Sequence, residues 1–205
     1  MHAQPAHRHR QFPRLPRIAL LLCAMFSLGL NTHAQFSENT LLLSVIGDGT
    51  TALSSDAHPL SVIELLPNGT STGKSITLPS TADNAMTDSG SAASSGHLQP
   101  SLDGFRLLLT TFQTPRGTSK VTSSTSAKIP RVVASIHRDL SIQKVLHLNS
   151  SFSGEAIRSV TESPANTLYL AGNSGIFRAL TTSPDTSPEK ITNQDGIRLV
   201  SSFSD

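Results

Sequence analysis

Asn68-Gly69-Thr70-Ser71-Thr72-Gly73-Lys74-Ser75 comes closest to a chemical signature in this chain. A phosphate-cradling loop needs Gly, four residues, then Gly-Lys-Ser or Gly-Lys-Thr, and here Asn68 stands in the first position. That loop must also open a helix whose N-terminal amides face the phosphate. Ser75-Ile76-Thr77-Leu78-Pro79 reads instead as a strand ended by proline, and Asn68-Gly69 as a hairpin turn. Two acid pairs, Asp48 with Asp56 and Asp83 with Asp88, supply oxygens near Gly or Ser. Neither has the alternate spacing of a calcium loop, and Asp48 and Asp103 precede glycine as turn residues do. Four histidines follow the first 34 residues: His58, His97, His137 and His147. None is paired at ligand spacing, and zinc usually takes three or four ligands. His147 alternates with Leu146 and Leu148, which predicts a strand residue with its ring outward. No Gly-x-Ser-x-Gly elbow marks a serine nucleophile, and serine is too abundant for a Ser-His-Asp combination to be informative. Asn68-Gly69-Thr70 and Asn149-Ser150-Ser151 match the glycosylation pattern. From these residues the sequence assigns no catalytic, cofactor-binding or metal site, and no cofactor.

The elements that would carry any site are short strands. Pro59-Leu60-Ser61-Val62-Ile63-Glu64-Leu65 returns as Pro130-Arg131-Val132-Val133-Ala134-Ser135-Ile136. Each precedes a polar turn and a second strand, Ser75–Leu78 and Val145–Leu148. Leu41–Ile46 is a further apolar run, expected as a buried strand stopped at Gly47-Asp48-Gly49. Thr81–Ser95 reads as loop or weak strand. A four-strand unit is predicted from His97–Gln99, Phe105–Thr111, Arg131–Ile136 and Ile142–Leu148, with a polar loop at Gln113–Lys128. Another is predicted from Ala156–Val160, Thr167–Leu170, Gly175–Leu180 and Gly196–Val200, with Thr181–Lys190 as its loop. No helical period occurs after the first segment. Repetition at long period predicts an all-β array, a partial β-propeller of two to three antiparallel blades. A small β-sandwich is the alternative. Closed propellers need roughly four to eight blades. The expectation is therefore an incomplete propeller, or one that closes by association through open blade edges.

The first segment, 1–34, reads as an export signal. Arg8, Arg10, Arg14 and Arg17 precede an apolar run from Ile18 to Leu30. Thr32-His33-Ala34 offers small residues for cleavage before Gln35. The run is roughly 13 residues, against the ~20 that span a bilayer, so a retained anchor is disfavoured. Cys23 lies in this run behind Leu21-Leu22, without the small residue that a lipoprotein signal wants. Removing the four arginines from 16 basic residues leaves 12 against 14 acids, a net charge of −2. The basic balance of the whole chain is thus no nucleic-acid or membrane footprint. The one cysteine leaves with the signal, so residues 35–205 must hold together by burying strands, without disulfides.

Gly47-Asp48-Gly49, Ser89-Gly90-Ser91, Leu98 through Gly104, Pro130-Arg131-Val132-Val133, and Phe152-Ser153-Gly154 with Ile157-Arg158-Ser159 resemble a family of exported bacterial β-propeller-like proteins. The resemblance spans the chain from about Leu41 onward and rests on turns and strands. It implies export and a propeller-like fold, of which this chain would be an amino-terminal portion, and it implies no settled activity. The resulting expectation is a secreted or cell-surface module, non-catalytic, that binds an extracellular ligand or cell-surface partner. The rival is a fragment of a propeller hydrolase or lyase whose site lies in further blades.

Overall fold

The computed structural model describes residues 35–184 and 187–202, so the expected signal segment lies outside the described residues. Alternating apolar positions and frequent Gly, Ser and Pro breaks produce strands, with no α-helix among the described residues. Among the described residues the single helical segment is a 3-10 turn, Val121–Ser123. The protein is all-β, built from antiparallel sheets.

The first sheet has the order β1 (Leu41–Ile46), β3 (Leu60–Leu65), β4 (Ser71–Thr77). The middle sheet runs β6 (Gln99–Pro100), β7 (Arg106–Phe112), β8 (Arg131–His137), β9 (Ile142–Leu148). The last runs β10 (Ser159–Ser163), β11 (Thr167–Gly172), β12 (Gly175–Leu180), β13 (Glu189–Thr192). A two-residue pair, β2 (Ala57–His58) with β5 (Asp88–Ser89), sits apart from these. β3 and β8, which carry the repeated Pro-led segments, are each the penultimate strand of their sheet.

The sheets stack in chain order. One core lies between the first and middle sheets, where Leu60 and Val62 meet Leu109, Val132, Ala134 and Ile136. A second lies between the middle and last sheets, where Leu108, Val133 and Leu146 meet Val160, Leu168 and Leu170. Successive residues of β8 serve opposite cores, so the strand is buried from Arg131 to Ile136. A bulge opposite Val133/Ala134 shifts the parity of β9. Ile142 therefore faces the first core while Leu146 and Leu148 face the second.

Arg131 is fully buried at the end of β8. Its guanidinium donates to the carbonyls of Glu155 at 2.9 Å, Ile129 at 2.5 Å, Thr122 at 3.2 Å and Ser124 at 2.7 Å. It also lies 4.9 Å from the Phe112 ring centroid. Burial pushes its pKa down to about 10, and the Glu155 charge works the other way. The planar five-donor fork makes this residue the tie for the long polar loop before β8.

Three expectations are corrected. Leu41–Ile46 is a strand, but only alternate residues turn inward. Leu41, Leu43 and Val45 are 50%, 40% and 38% exposed. The fourth strand of the last sheet is Glu189–Thr192, which starts within the last two residues of the expected loop, Thr181–Lys190, and runs two residues past it. Its pairing depends on bare backbone at Gly175, whose φ is +130° and where a Cβ would collide with the Thr192 carbonyl oxygen. The segment expected as that strand, 196–200, instead hangs on side chains of β10. Val200 N–H donates to Ser159 Oγ at 3.1 Å, and Ser202 N–H to Thr161 Oγ1 at 3.3 Å. The first strand of this sheet begins at Ser159, three residues beyond the expected Ala156.

Candidate functional site

The turn after β1 and the loop before the 3-10 turn enclose a polar cleft of about 660 Å³, lined by Asp48, Ser54, Asp56, His58 and Arg116 among others. That size lies within the range of small-ligand clefts. Two backbone clamps hold its walls. Ala57 N–H donates to Thr118 O at 2.8 Å, and Gly117 N–H to Ala57 O at 2.7 Å. Arg116 is fixed at its backbone, where its N–H donates to Ser80 O at 2.9 Å.

Asp48 forms the cleft's turn. Its Oδ1 accepts from Thr50 N–H at 3.0 Å, Thr50 Oγ1 at 2.9 Å and Thr51 N–H at 2.9 Å. The Thr51 and Thr50 amides, with the hydroxyls beside them, hold its carboxyl well below the usual carboxylate range. Arg116 Nη1 lies 4.0 Å from Asp48 Oδ2. Asp56 Oδ1 accepts from Lys120 N–H at 3.1 Å. Asp48 is therefore a fixed anion, suited to accept hydrogen bonds and unsuited to shuttle a proton near neutrality.

His58 ends β2 and is nearly buried. Its Nε2 lies 3.3 Å from Ser54 N and 3.5 Å from Ser54 Oγ. Gly90 packs against the ring so tightly that a Cβ there would sit 2.6 Å from His58 Cδ2 and 2.8 Å from Ser54 O. Asp88 stands opposite His58 across the β2–β5 pair. Its carboxylate is committed elsewhere, accepting from Ser95 Oγ at 2.9 and 2.8 Å and from Ser89 N–H at 2.8 Å. Burial pushes the Asp88 pKa up to about 7, against the pull of those donors. Ser54, His58 and Asp88 thus lie close in the fold without the hydrogen-bond chain that a relay requires.

Of the residues singled out in the sequence, Asp48, Asp56 and His58 meet in the cleft. Asp88 lies buried in the neighbouring strand. His97 is exposed ahead of β6, His137 closes β8, and His147 lies in β9. The phosphate-loop look-alike is a turn closed by Gly69 N–H to Leu66 O at 2.8 Å, leading into β4. Its Lys74 is spent on Gln35 O and Ser37 Oγ, each at 2.7 Å, beside Glu64 at 3.9 Å. Among the described residues no group of three or more His, Cys, Asp or Glu converges as a metal site. Sequence reading missed Arg116 and Ser54. Both sit in polar loops with no local signal, and long-range bonds of residues 116–118 to Ser80 and Ala57 bring Arg116 to the cleft.

Compared with protein-family models, curated proteins and solved structures, the chain matches none.

Proposed function

We propose that this chain is an exported, secreted or cell-surface module of β-propeller type, non-catalytic, that takes a small polar ligand in the cleft beside His58 and Arg116. The observation that carries the binding reading is the fixed charge of the cleft. Asp48 and Asp56 are held as acceptors by backbone amides, and Arg116 reaches in as a donor. A preorganised rim of donors and acceptors favours recognition of a molecule that carries both. The propeller reading is supported by three sheets stacked in chain order with equivalent final hairpins. The export reading is supported by the basic, apolar and small-residue succession of residues 1–34.

The test has two arms. A carboxy-terminal fusion to a phosphatase active only outside the cytoplasm should be active with the full chain and inactive without residues 1–34. Protein purified from outside the cytoplasm should then bind short oligosaccharides released from the envelope polysaccharide of the producing cells saturably. Arg116→Ala should abolish that binding while Arg138→Ala leaves it intact. Equal binding by both variants would discard the cleft, and an inactive full-length fusion would discard export.

A further inference from the structure

Among the described residues, β1 is an edge without any of the usual protection. In the order of the first sheet it bonds β3 alone. Its sequence, Leu-Leu-Leu-Ser-Val-Ile, holds no charge, proline or glycine over six residues. Every other edge of the three main sheets carries a guard. β4 has Lys74 and an irregular register, and β9 has Lys144 and a bulge. β6 is two residues long and contains Pro100. β13 has Glu189 and Lys190, and β10 is bound through Ser159 and Thr161 to the segment at Val200 and Ser202. An apolar edge left bare in this way is a template for strand pairing.

The face beside that edge is equally bare. The register places Leu41, Leu43 and Val45 beside Leu65, Ile63 and Ser61, with Ser71, Ser75 and Thr77 beyond. None of these nine residues is charged. The Ser61 and Thr77 hydroxyls satisfy each other at 2.8 Å. Such a face meets no like-charge penalty when brought against a copy of itself.

We infer that β1 pairs antiparallel with β1 of a second copy, joining two first sheets into one continuous six-stranded sheet about a two-fold axis. This names the edge for the self-association expected of open sheets, and it is independent of what the cleft binds. Parity fixes the register. Residues opposite one another must share a face, so their numbers must sum to an even value. Centring the axis on Leu43 pairs Leu43 with itself and Leu41 with Val45, which matches the whole outward row. Centring it on Ser44 leaves Leu41 without a partner. The paired stretch is Leu41–Val45, about 17 Å at ~3.4 Å per residue, and it satisfies edge backbone groups that have no partner among the described residues. An isologous contact of this kind closes as a dimer.

The test uses protein expressed from the full 205-residue chain. Sedimentation at ~100 μM, where even a modest specific interface is populated, should report a dimer. In a Cys23→Ser background, Leu43→Cys should cross-link under mild oxidation, because directly opposed strand residues fall within disulfide reach. Ser44→Cys should stay monomeric on a denaturing gel. Leu43→Lys sets like charges face to face and should weaken association about tenfold or more, with an unchanged thermal melt at dilution where wild type is itself monomeric. A monomer at that concentration, cross-linking at Ser44 in place of Leu43, or an unaltered mass for Leu43→Lys would each overturn the pairing. Because Arg116→Ala reads ligand binding and these variants read mass, failure of one leaves the other standing.

Discussion

Asp88→Asn should flatten the stability of this protein against pH and raise it above neutrality. The wild-type carboxyl is completely buried, and its pKa rises from 3.8 to about 7. That difference of about three units, at ~1.36 kcal/mol each, is worth about 4 kcal/mol. The sign follows from proton counting. Between about pH 4 and pH 7 the unfolded chain has released this proton while the folded chain keeps it, so stability falls as pH rises through that window. Above about pH 7 both states have lost the proton, and the full cost stands. Asp48, Asp103 and Asp139 act oppositely, since hydrogen bonds hold their carboxyls low. Their stabilisation is present above the ordinary carboxylate range and is lost as pH falls through their folded values. Stability should therefore peak on the acid side of neutrality. Asparagine at 88 keeps an acceptor for Ser89 N–H, offers a donor to Ser95 Oγ and has no charge to desolvate. At ~2–4 °C per kcal/mol for a chain of this size, the variant should melt about 8–16 °C above wild type at pH 8 and close to it at pH 4.5. Calorimetric melts of both proteins from pH 4.5 to 8 make the comparison. A variant that melts below wild type at pH 8 and keeps the wild-type slope would refute the reasoning.

Arg131→Met should destabilise by about 3–5 kcal/mol, because one buried and three partly buried carbonyls lose their donor, and limited proteolysis should then cut between residues 113 and 130. Gly175→Ala should cost about 1–3 kcal/mol in denaturant unfolding, with β13 losing amide protection first, since the new Cβ strikes Thr192 O. Arg106→Ala removes two bonds to Glu162, at 3.0 and 3.1 Å, that tie the middle sheet to the last. Urea melts should show a loss of about 1–3 kcal/mol, and less for Arg106→Lys.

The middle sheet was readable because local signals agreed with tertiary ones. Asp103-Gly104 turns the chain into the leucine run of β7, and the β-branched run of β8 pairs with it. The last strand of the last sheet was not. Glu189-Lys190-Ile191-Thr192 has the composition of a loop, and its pairing rests on the missing side chain at Gly175. Leu41–Ile46 was legible as a strand, but an unbroken apolar run cannot say which alternate residues are left outside. Arg131 looked like one more strand residue after Pro130. Its role depends on carbonyls from Thr122 to Glu155 that no spacing rule connects. In the cleft, Asp48, Asp56 and His58 drew notice by type, while Arg116 joined them through backbone bonds to Ser80 and, from residues 117 and 118, to Ala57 about sixty residues upstream, beyond the reach of motif reading.

Three sheets stacked in chain order, with the middle one covered on both faces, organise the whole described chain. Native-state hydrogen exchange tests this directly. Amides of β8, Arg131–His137, should be the slowest in the protein and exchange only through global unfolding, while β4 and β13 exchange through local opening. Exchange in β8 as fast as in β4 or β13 would contradict the stacking and everything built on it.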